Sequence, residues 1–512
     1  MAEEIELKLA LAEDQAARFL RQPLLKQAQR RRAENLDNIY YDTADLALRR
    51  NGIALRLRRQ GGSWRQTVKL AGSAAGGLSN RPEWETPYAG HFDFSGLPLV
   101  SLRDWLQRPQ RLARIEPICE TRFRRITWTF AIGGGHVLLT LDRGWIVAHG
   151  RREAICEVEI ELAGAPLHAL FELAAQLGRQ VALAPSVLSK AERGIRLYLG
   201  HAQAPFKSAS PPLAAAMSPA TAFRAIALSC LDHLQLNHAG ALASDDPEYI
   251  HQMRVACRRL RAALRLFRPV VAEPVAQALR APLSVLMEPL GRARDLDVLL
   301  EEIANPVLRA LPGEPRLPAL ASDITNRRYL ARAQALALLA APGYGHSLLA
   351  ALEALHSMSA AEDGAGALLD FATQRLHRLR RKLRRLAGAA SSDAPASLHA
   401  LRIGVKRLRY ALEFFAPLAD NAALRRDLRQ LAAAQDRLGQ LNDLANAGAL
   451  LTECAGSDPG LREAVTLIGG WHAQRYAALL AAIESERTGL MRLRLPRLAQ
   501  HREPARKTRQ WT

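Results

Sequence analysis

The sequence predicts an α+β multidomain protein: a many-stranded β-sandwich or barrel with flanking helices, followed by an all-α tandem repeat of helical bundles. Three observations carry this. Up to about residue 200, short segments alternate apolar and charged residues at period two, separated by Gly- and Ser-rich joints such as AGSAAGGLS (71–79). From residue 218 the periodicity becomes helical and stays so to about residue 490. Within that half, HQMRVACRRLRAALRLF (251–267) matches HALRIGVKRLRYALEFF (399–415) at an offset of 148 residues.

Taken in order, residues 1–200 form the barrel domain, 201–217 a Pro-, Ser- and Ala-rich linker, 218–503 the helical domain and 504–512 a basic tail. Strand segments fall at 4–10, 53–59, 65–70, 81–86, 121–130, 136–142 and 155–162, and helical patterns near 13–30 and 166–178. The 148-residue offset also pairs Phe223 with Phe371, Pro247 with Pro395, Gly291 with Gly439 and Asp295 with Asp443. The two copies therefore span about 218–365 and 366–500, and a pseudo-two-fold pair of bundles is the expected architecture.

A chain of 512 residues can bury the cores of about two to four domains. The apolar fraction of 49% is ordinary for globular protein and excludes global disorder. The net charge of +20, mostly arginine, requires an anionic partner: nucleic acid, anionic membrane or a phosphate compound. Five scattered cysteines without a CxxC pair suit a reducing cytoplasm better than disulfides or zinc. MAEEIELKLA has neither the basic nor the apolar region of a secretory signal, and no apolar run is long enough to span a bilayer. The expectation is a soluble cytoplasmic protein with no membrane partner.

The charged faces of the strands are informative as a set. EIELK sets Glu4, Glu6 and Lys8 opposite Ile5 and Leu7; LRLRR sets Arg56 and Arg58 on one face; TVKL gives Thr67 and Lys69. RPEWE contributes Arg81, Glu83 and Glu85, and CEVEIEL contributes Glu157, Glu159 and Glu161. A solvated sheet face usually mixes Thr, Ser, Gln and Lys. Carboxylates clustered on three strands and cations on others fit a charged lumen better, with helices covering the apolar exterior. Guanidinium and ammonium groups match phosphate oxygens, while clustered carboxylates would repel a phosphate chain unless Mg²⁺ or Mn²⁺ lay between.

Glu4-x-Glu6-x-Lys8 resembles the ExExK signature of CYTH domains, the triphosphate tunnel metalloenzymes. The resemblance continues in family order through YYDT (40–43), LRLR (55–58), VKLAG with Lys69, RPEWE, LDRG with Asp142, CEVEIEL and LSKAERG with Lys190 and Arg193. It implies an eight-stranded antiparallel tunnel, open at both ends, that hydrolyses or cyclises triphosphates with Mg²⁺ or Mn²⁺. It implies catalytic roles for Glu4, Glu6 and Lys8, and metal ligation by Glu4 and Glu6 with Glu157, Glu159 or Glu161. Phosphate contacts are implied for Lys8, Arg56, Arg58, Lys69, Arg81, Lys190 and Arg193. In TRFRRITW, Arg122 and Arg124 share one face and Arg125 takes the other; family order favours Arg125. Adenylate cyclases, thiamine triphosphatases and inorganic triphosphatases all occur in the family. Fusion to the second half resembles the inorganic branch, which implies tripolyphosphate cleaved to pyrophosphate and phosphate. No Walker sequence or activated nucleophile competes with this reading.

In the helical half, His251, Arg254, Arg258, Arg261, Arg265 and Arg268 follow 3,4,3,4,3 spacing on one helix face, with no acid between 251 and 268. The second copy repeats His399, Arg402, Lys406 and Arg409, with Arg407 alongside, before Glu413 breaks the stripe. RLHRLRRKLRR (375–385) is likewise free of acids. Solvated helices usually interleave Glu at i,i+4, so these stripes predict a bound polyanion. His251 and His399 each lie four residues after a proline suited to the first helical position. These units resemble the CHAD domain, a helical module that binds inorganic polyphosphate. The resemblance implies long-chain polyphosphate contacts for His251, Arg254, Arg258, Arg261, His399, Arg402, Lys406, Arg407 and Arg409. RDLDV (294–298) is intact in the first copy, whereas its counterpart reads NDLAN. Two alternatives stand beside this reading: a non-enzymatic polyphosphate-binding protein of polyphosphate granules, or a tunnel for an organic triphosphate such as thiamine triphosphate or ATP. Nucleic acid is disfavoured, because no aromatic platforms accompany the basic runs.

Overall fold

The computed structural model describes residues 2–200, 204–211, 213–358, 367–419 and 422–498; the basic tail at 504–512 and the repeat boundary near 365 lie outside them. Ten strands follow the chain: β1 (Ala2–Leu11), β2 (Arg30–Thr43), β3 (Ile53–Gln60), β4 (Ser63–Leu70), β5 (Ser73–Ala75), β6 (Leu78–Pro87), β7 (Ile115–Ile132), β8 (Gly135–Ala148), β9 (Arg151–Ala163) and β10 (Leu183–Pro185). They are hydrogen-bonded in the order β1-β9-β8-β7-β2-β3-β4-β6, and β6 pairs back onto β1, with Glu4 opposite Arg81. Eight antiparallel strands thus close into a barrel, and β5 and β10 are short additions to it. Alternation does the sorting: Leu7, Leu9, Leu139, Leu141, Val158 and Ile160 are buried on the outer face, leaving the charged positions to the lumen.

All seven alternating segments lie in strands. The strand that the pattern does not reveal is β2. Its first residues, RRRAENLD, are polar on both faces, and pairing with β7 along the whole of β2 makes them a strand. The expected helix near 13–30 is shorter: a 3₁₀ turn at Glu13–Gln15, a helix at Ala16–Leu20 and a second 3₁₀ turn at Pro23–Gln27. Helix Leu167–Gly178 forms as expected and packs its Leu170, Leu173 and Leu177 side inward beside β9. One glycine is tied to the site. Gly77 has a φ of 89°, leaves no room for a side chain against the Lys8 carbonyl, and accepts the Lys8 N–H at 2.9 Å.

The chain divides into two units. The barrel unit runs to Phe206 and also contains Ala340–Ala354, whose Gly345 lies against the Leu183 carbonyl of β10. The helical unit is Lys207–Leu339 with the described residues from Leu355 to Leu498, so the expected linker straddles the boundary. Helices Pro247–Leu266 and Pro395–Phe414 are offset by 148 residues at both ends, and Pro219–Ala243 and Ala367–Ala389 start at the same offset. Glu273–Val298 with Arg316–Leu339, and Ala422–Ala455 with Pro459–Arg492, complete the two copies. Among the described residues, no single helix is long and apolar enough to cross a membrane.

The copies meet on two repeat-related pairs of phenylalanines. Phe267 lies 5.7 Å from Phe223, 5.0 Å from Phe371 and 5.8 Å from Phe415, ring centre to ring centre. Phe267 is fully buried. Phe267→Ala should therefore destabilise the helical unit by about 3–5 kcal/mol, read from its denaturant unfolding midpoint; a loss below about 1 kcal/mol would contradict this packing.

Candidate functional site

Closure turns the charged face of each strand toward a lumen cavity of about 240 Å³. Lys8, Arg56, Arg58, Lys69, Arg81, Arg125 and Lys190 line it against Glu4, Glu6, Glu83, Glu159 and Glu161. Lys69 sits between Glu4 at 2.6 Å and Glu83 at 2.9 Å, and Arg56 reaches Glu83 at 3.4 Å and Thr67 at 3.2 Å. Lys8 pairs with Glu6 and lies 3.8 Å from Glu159. Arg125 forks onto both oxygens of Asp142, at 2.7 and 2.6 Å, and reaches Glu159 at 2.6 Å. Arg58 bonds Asn38 at 2.9 Å rather than a carboxylate. Burial, reinforced by Arg56 and Arg125, pushes its guanidinium down to about 10.

Cross-strand register concentrates the acids. Glu6 faces Glu161, Lys8 faces Glu159, and Asp142 faces both Arg125 and Glu157. Burial and the Glu4 and Glu6 carboxylates raise Glu161 to about 7. Asp142, Glu157 and Glu159 present oxygens within 4.8 Å of one another. The Lys190 ammonium is enclosed by these three, 2.7 Å from Asp142 and 3.1 Å from Glu159, and in contact with Glu157. Burial opposes its charge, but the Asp142 and Glu157 carboxylates outweigh that and hold its pKa above the usual lysine value. Buried carboxylate oxygens already gathered around one cationic centre are a donor set that fits a hard divalent ion.

The lumen is not charged throughout. Leu36, Phe123, Ile146 and Ile155 form a buried apolar cluster, and Phe123 is where it borders the charged cavity. Of the residues singled out in the sequence, Thr67, Glu85, Asp142, Glu157 and Arg193 stand outside the cavity lining. Arg193 braces Glu153 at 2.6 Å and Glu157 at 3.0 Å. Arg125 faces the lumen, whereas Arg122 and Arg124 are exposed on the other side of β7. Sequence reasoning left Asp142 out of the candidate ligands and placed Glu83 on a charged lumen face without giving it a role. The signals were LDRG for the first and the parity shared with Arg81 for the second.

In the helical unit, His251, Arg254, Arg258, Arg402 and Lys406 converge on a cavity of about 450 Å³. Arg294 joins them from the next helix of the first copy. The expectation of cations without counter-charge fails here. Four acids line the same cavity, Asp295 and its repeat mate Asp443 together with Glu302 and Asp436, and Asp295 holds Arg254 at 2.7 Å. His399 is exposed and lies 3.3 Å from Asn442, a lining residue. Arg261, Arg407 and Arg409 do not line the cavity. Arg409 pairs instead with Glu413 at 2.8 Å, which also receives the buried Arg259 at 2.7 Å. Glu413 breaks the second stripe because it ties the two copies together. Asp297, absent from the second copy, holds Arg328 at 2.6 Å. Burial and Arg294 lower His251 to about 4, so its imidazole is neutral at pH 7.

Residues 2–195 match the CYTH domain family and residues 225–452 match the CHAD domain family. An inorganic triphosphatase of Haemophilus influenzae is 29% identical over 200 residues, 38% of this chain and 55% of that protein. The chain thus spans about half the length of this curated relative. The CHAD domain of the plant Ricinus communis is 35% identical, with a TM-score of 0.50, over 58% of this chain and 100% of that one. A putative adenylyl cyclase of Hippeastrum is 19% identical over 38% of this chain and 96% of that one, with a TM-score of 0.27.

The helical cavity makes a prediction about its own electrostatics. Burial, then the Arg402 and Arg258 guanidinium groups, push the Lys406 ammonium from 10.5 down to about 7. Across that window the unfolded chain binds the proton and the folded chain does not, so stability rises with pH there and is lowest below 7. Lys406→Met should therefore raise the melting temperature at pH 7 without added polyanion and flatten this rise. An unchanged or lower melting temperature would contradict it.

Proposed function

Since the chain carries a CYTH domain at residues 2–195 and belongs to the CHAD family through residues 225–452, we propose that it is a metal-dependent inorganic triphosphatase. In this reading the barrel cleaves tripolyphosphate to pyrophosphate and phosphate, and the helical domain binds long-chain inorganic polyphosphate. One observation supports the reading most strongly: seven cations face five carboxylates in a single lumen cavity. An excess of two positive charges leaves part of a triphosphate's roughly four to five negative charges uncompensated. A divalent ion held by the carboxylates would close that gap.

Lys8, Arg56, Arg58, Lys69 and Arg81 would hold the phosphate oxygens, with Arg58 already lacking a carboxylate partner of its own. Arg125 and Lys190 fix the orientation of Asp142, Glu157 and Glu159, the residues that would hold Mg²⁺ or Mn²⁺, with Glu4 and Glu6 as the further candidates. When bound, the metal would supply charge neutralisation on phosphate oxygens and lower the pKa of a coordinated water. Hydrolysis joins a water oxygen to the terminal phosphorus and breaks its bridging P–O bond, with pyrophosphate leaving in line. Glu161, near 7, is the lumen carboxyl best matched to accept the water's proton at neutral pH.

A second reading, an organic triphosphate substrate, is favoured by one feature. A cavity of about 290 Å³ shares Tyr40, Lys69, Arg81 and Ser189 with the charged one and adds Ile53, Leu55, Leu70, Ile118 and Ile195. It could take an apolar ring system beside the phosphates. Phosphate release from tripolyphosphate, thiamine triphosphate and ATP with Mg²⁺ or Mn²⁺ separates the two. We expect tripolyphosphate to be the best substrate, with Glu4→Ala and Glu6→Ala each lowering turnover by at least about 100-fold. No release by the wild type, or equal release by the variants, contradicts the enzyme reading; faster ATP or thiamine triphosphate turnover supports the second. In the same protein, Arg258→Glu with Arg402→Glu should abolish retention on immobilised long-chain polyphosphate.

A further inference from the structure

We propose that the exposed cationic face of helix Ala367–Ala389 is a second polyphosphate-binding site of the helical unit. This rests on the polyphosphate reading given above and adds a site that shares no lining residue with the His251–Lys406 cavity.

The helix buries Leu376, Leu383 and Ala387 and exposes Arg378, Arg381, Lys382 and Arg385. From 371 to 389 it contains no acidic residue, and among the described residues none of these four cations is paired with a carboxylate. Arg380 donates from Nε to the Leu493 carbonyl at 2.8 Å, which fixes the extended segment beside the helix. A separate cleft of about 340 Å³ lies between them, on another side of the helix from the four exposed cations; His377, Arg380, Arg494 and Arg497 line it, and among the described residues no carboxylate does.

The repeat supplies the control. The equivalent stretch of the first copy, residues 227–237, contains no Arg or Lys, and most of it is buried. The exposed cationic face is therefore present in one copy only. Concentrated like charge costs stability unless an anion meets it. Neither the helix nor residues 493–498 exposes a large apolar side chain, so there is no wedge for a bilayer and no stacking platform for bases. Arg378 to Arg385 spans about 10 Å of helix, a strip of guanidinium groups suited to a bare chain of phosphates. Two separate sites on one polymer gain avidity only when the chain is long enough to reach both.

The test uses the full chain and measures affinity for long-chain polyphosphate across a salt series. Three proteins are compared: wild type, Arg378→Gln with Arg381→Gln and Arg385→Gln, and the cavity variant Arg258→Gln with Arg402→Gln. The triple variant should bind at least about 10-fold more weakly, with the slope of log K against log salt reduced by about 2. Its melting temperature should not fall, since the substituted side chains are exposed. A triple variant that matches wild type in affinity and slope, while the cavity variant binds more weakly, overturns this inference and leaves the polyphosphate reading intact. No binding by wild type overturns both. Duplex DNA and phosphatidylglycerol vesicles are run in parallel. If the triple substitution abolishes binding to either while sparing polyphosphate, the face serves that other partner and the inference fails.

Discussion

Pairing of β6 onto β1 closes the sheet, and closure commits every second residue of each barrel strand to one shared interior. Once there, charged groups must compensate one another, because an isolated buried ion is far too costly to keep. Lys69 between Glu4 and Glu83, Arg125 forked on Asp142, and Lys190 inside the Asp142, Glu157 and Glu159 group are three solutions to that constraint. The compensation is incomplete: among the described residues Arg58 has an amide partner and no carboxylate one, and burial with its acidic neighbours holds Glu161 near 7. Those imperfections are what a ligand carrying both a polyanion and a divalent cation would correct.

The helical unit repeats the theme of cations and acids gathered in one cavity. Duplicated cations from two repeat-related helices meet duplicated aspartates, Asp295 and Asp443, in one cavity. With Glu302 and Asp436, four acids face five Arg and Lys side chains there, and burial with the neighbouring guanidinium groups leaves Lys406 strongly depressed. Where the second copy departs from the first, a structural reason is visible. Glu413 holds both Arg259 and Arg409, which joins the copies and removes Arg409 from the anion cavity.

Much of this was legible in the sequence because it is a matter of parity and period. Seven barrel strands and the 148-residue duplication follow from spacing; the inward orientation of Glu4, Glu6, Lys8, Arg56, Arg58, Lys69 and Arg81 follows from parity together with the clustering of acids and cations on different strands and the family resemblance. The eighth strand, β2, was hidden because its first half is polar on both faces and is defined by its partner. Asp142 was missed for a related reason: on β8 it is one charge among apolar residues, and only register places it beside Glu157 and Arg125. Asp295 and Asp443 escaped because counter-charge was sought along one helix, while the fold supplied it from the next.

The central claim is that the lumen carboxylates are arranged to hold a divalent ion next to the phosphate-binding cations. Titration of the full chain with Mn²⁺, followed by the loss of the free-ion electron paramagnetic resonance signal, tests it directly. Wild-type protein should take up Mn²⁺ saturably, and Asp142→Asn with Glu159→Gln should weaken that uptake by about 10–100-fold while the barrel remains folded by circular dichroism. Uptake that is the same in both proteins would contradict the claim.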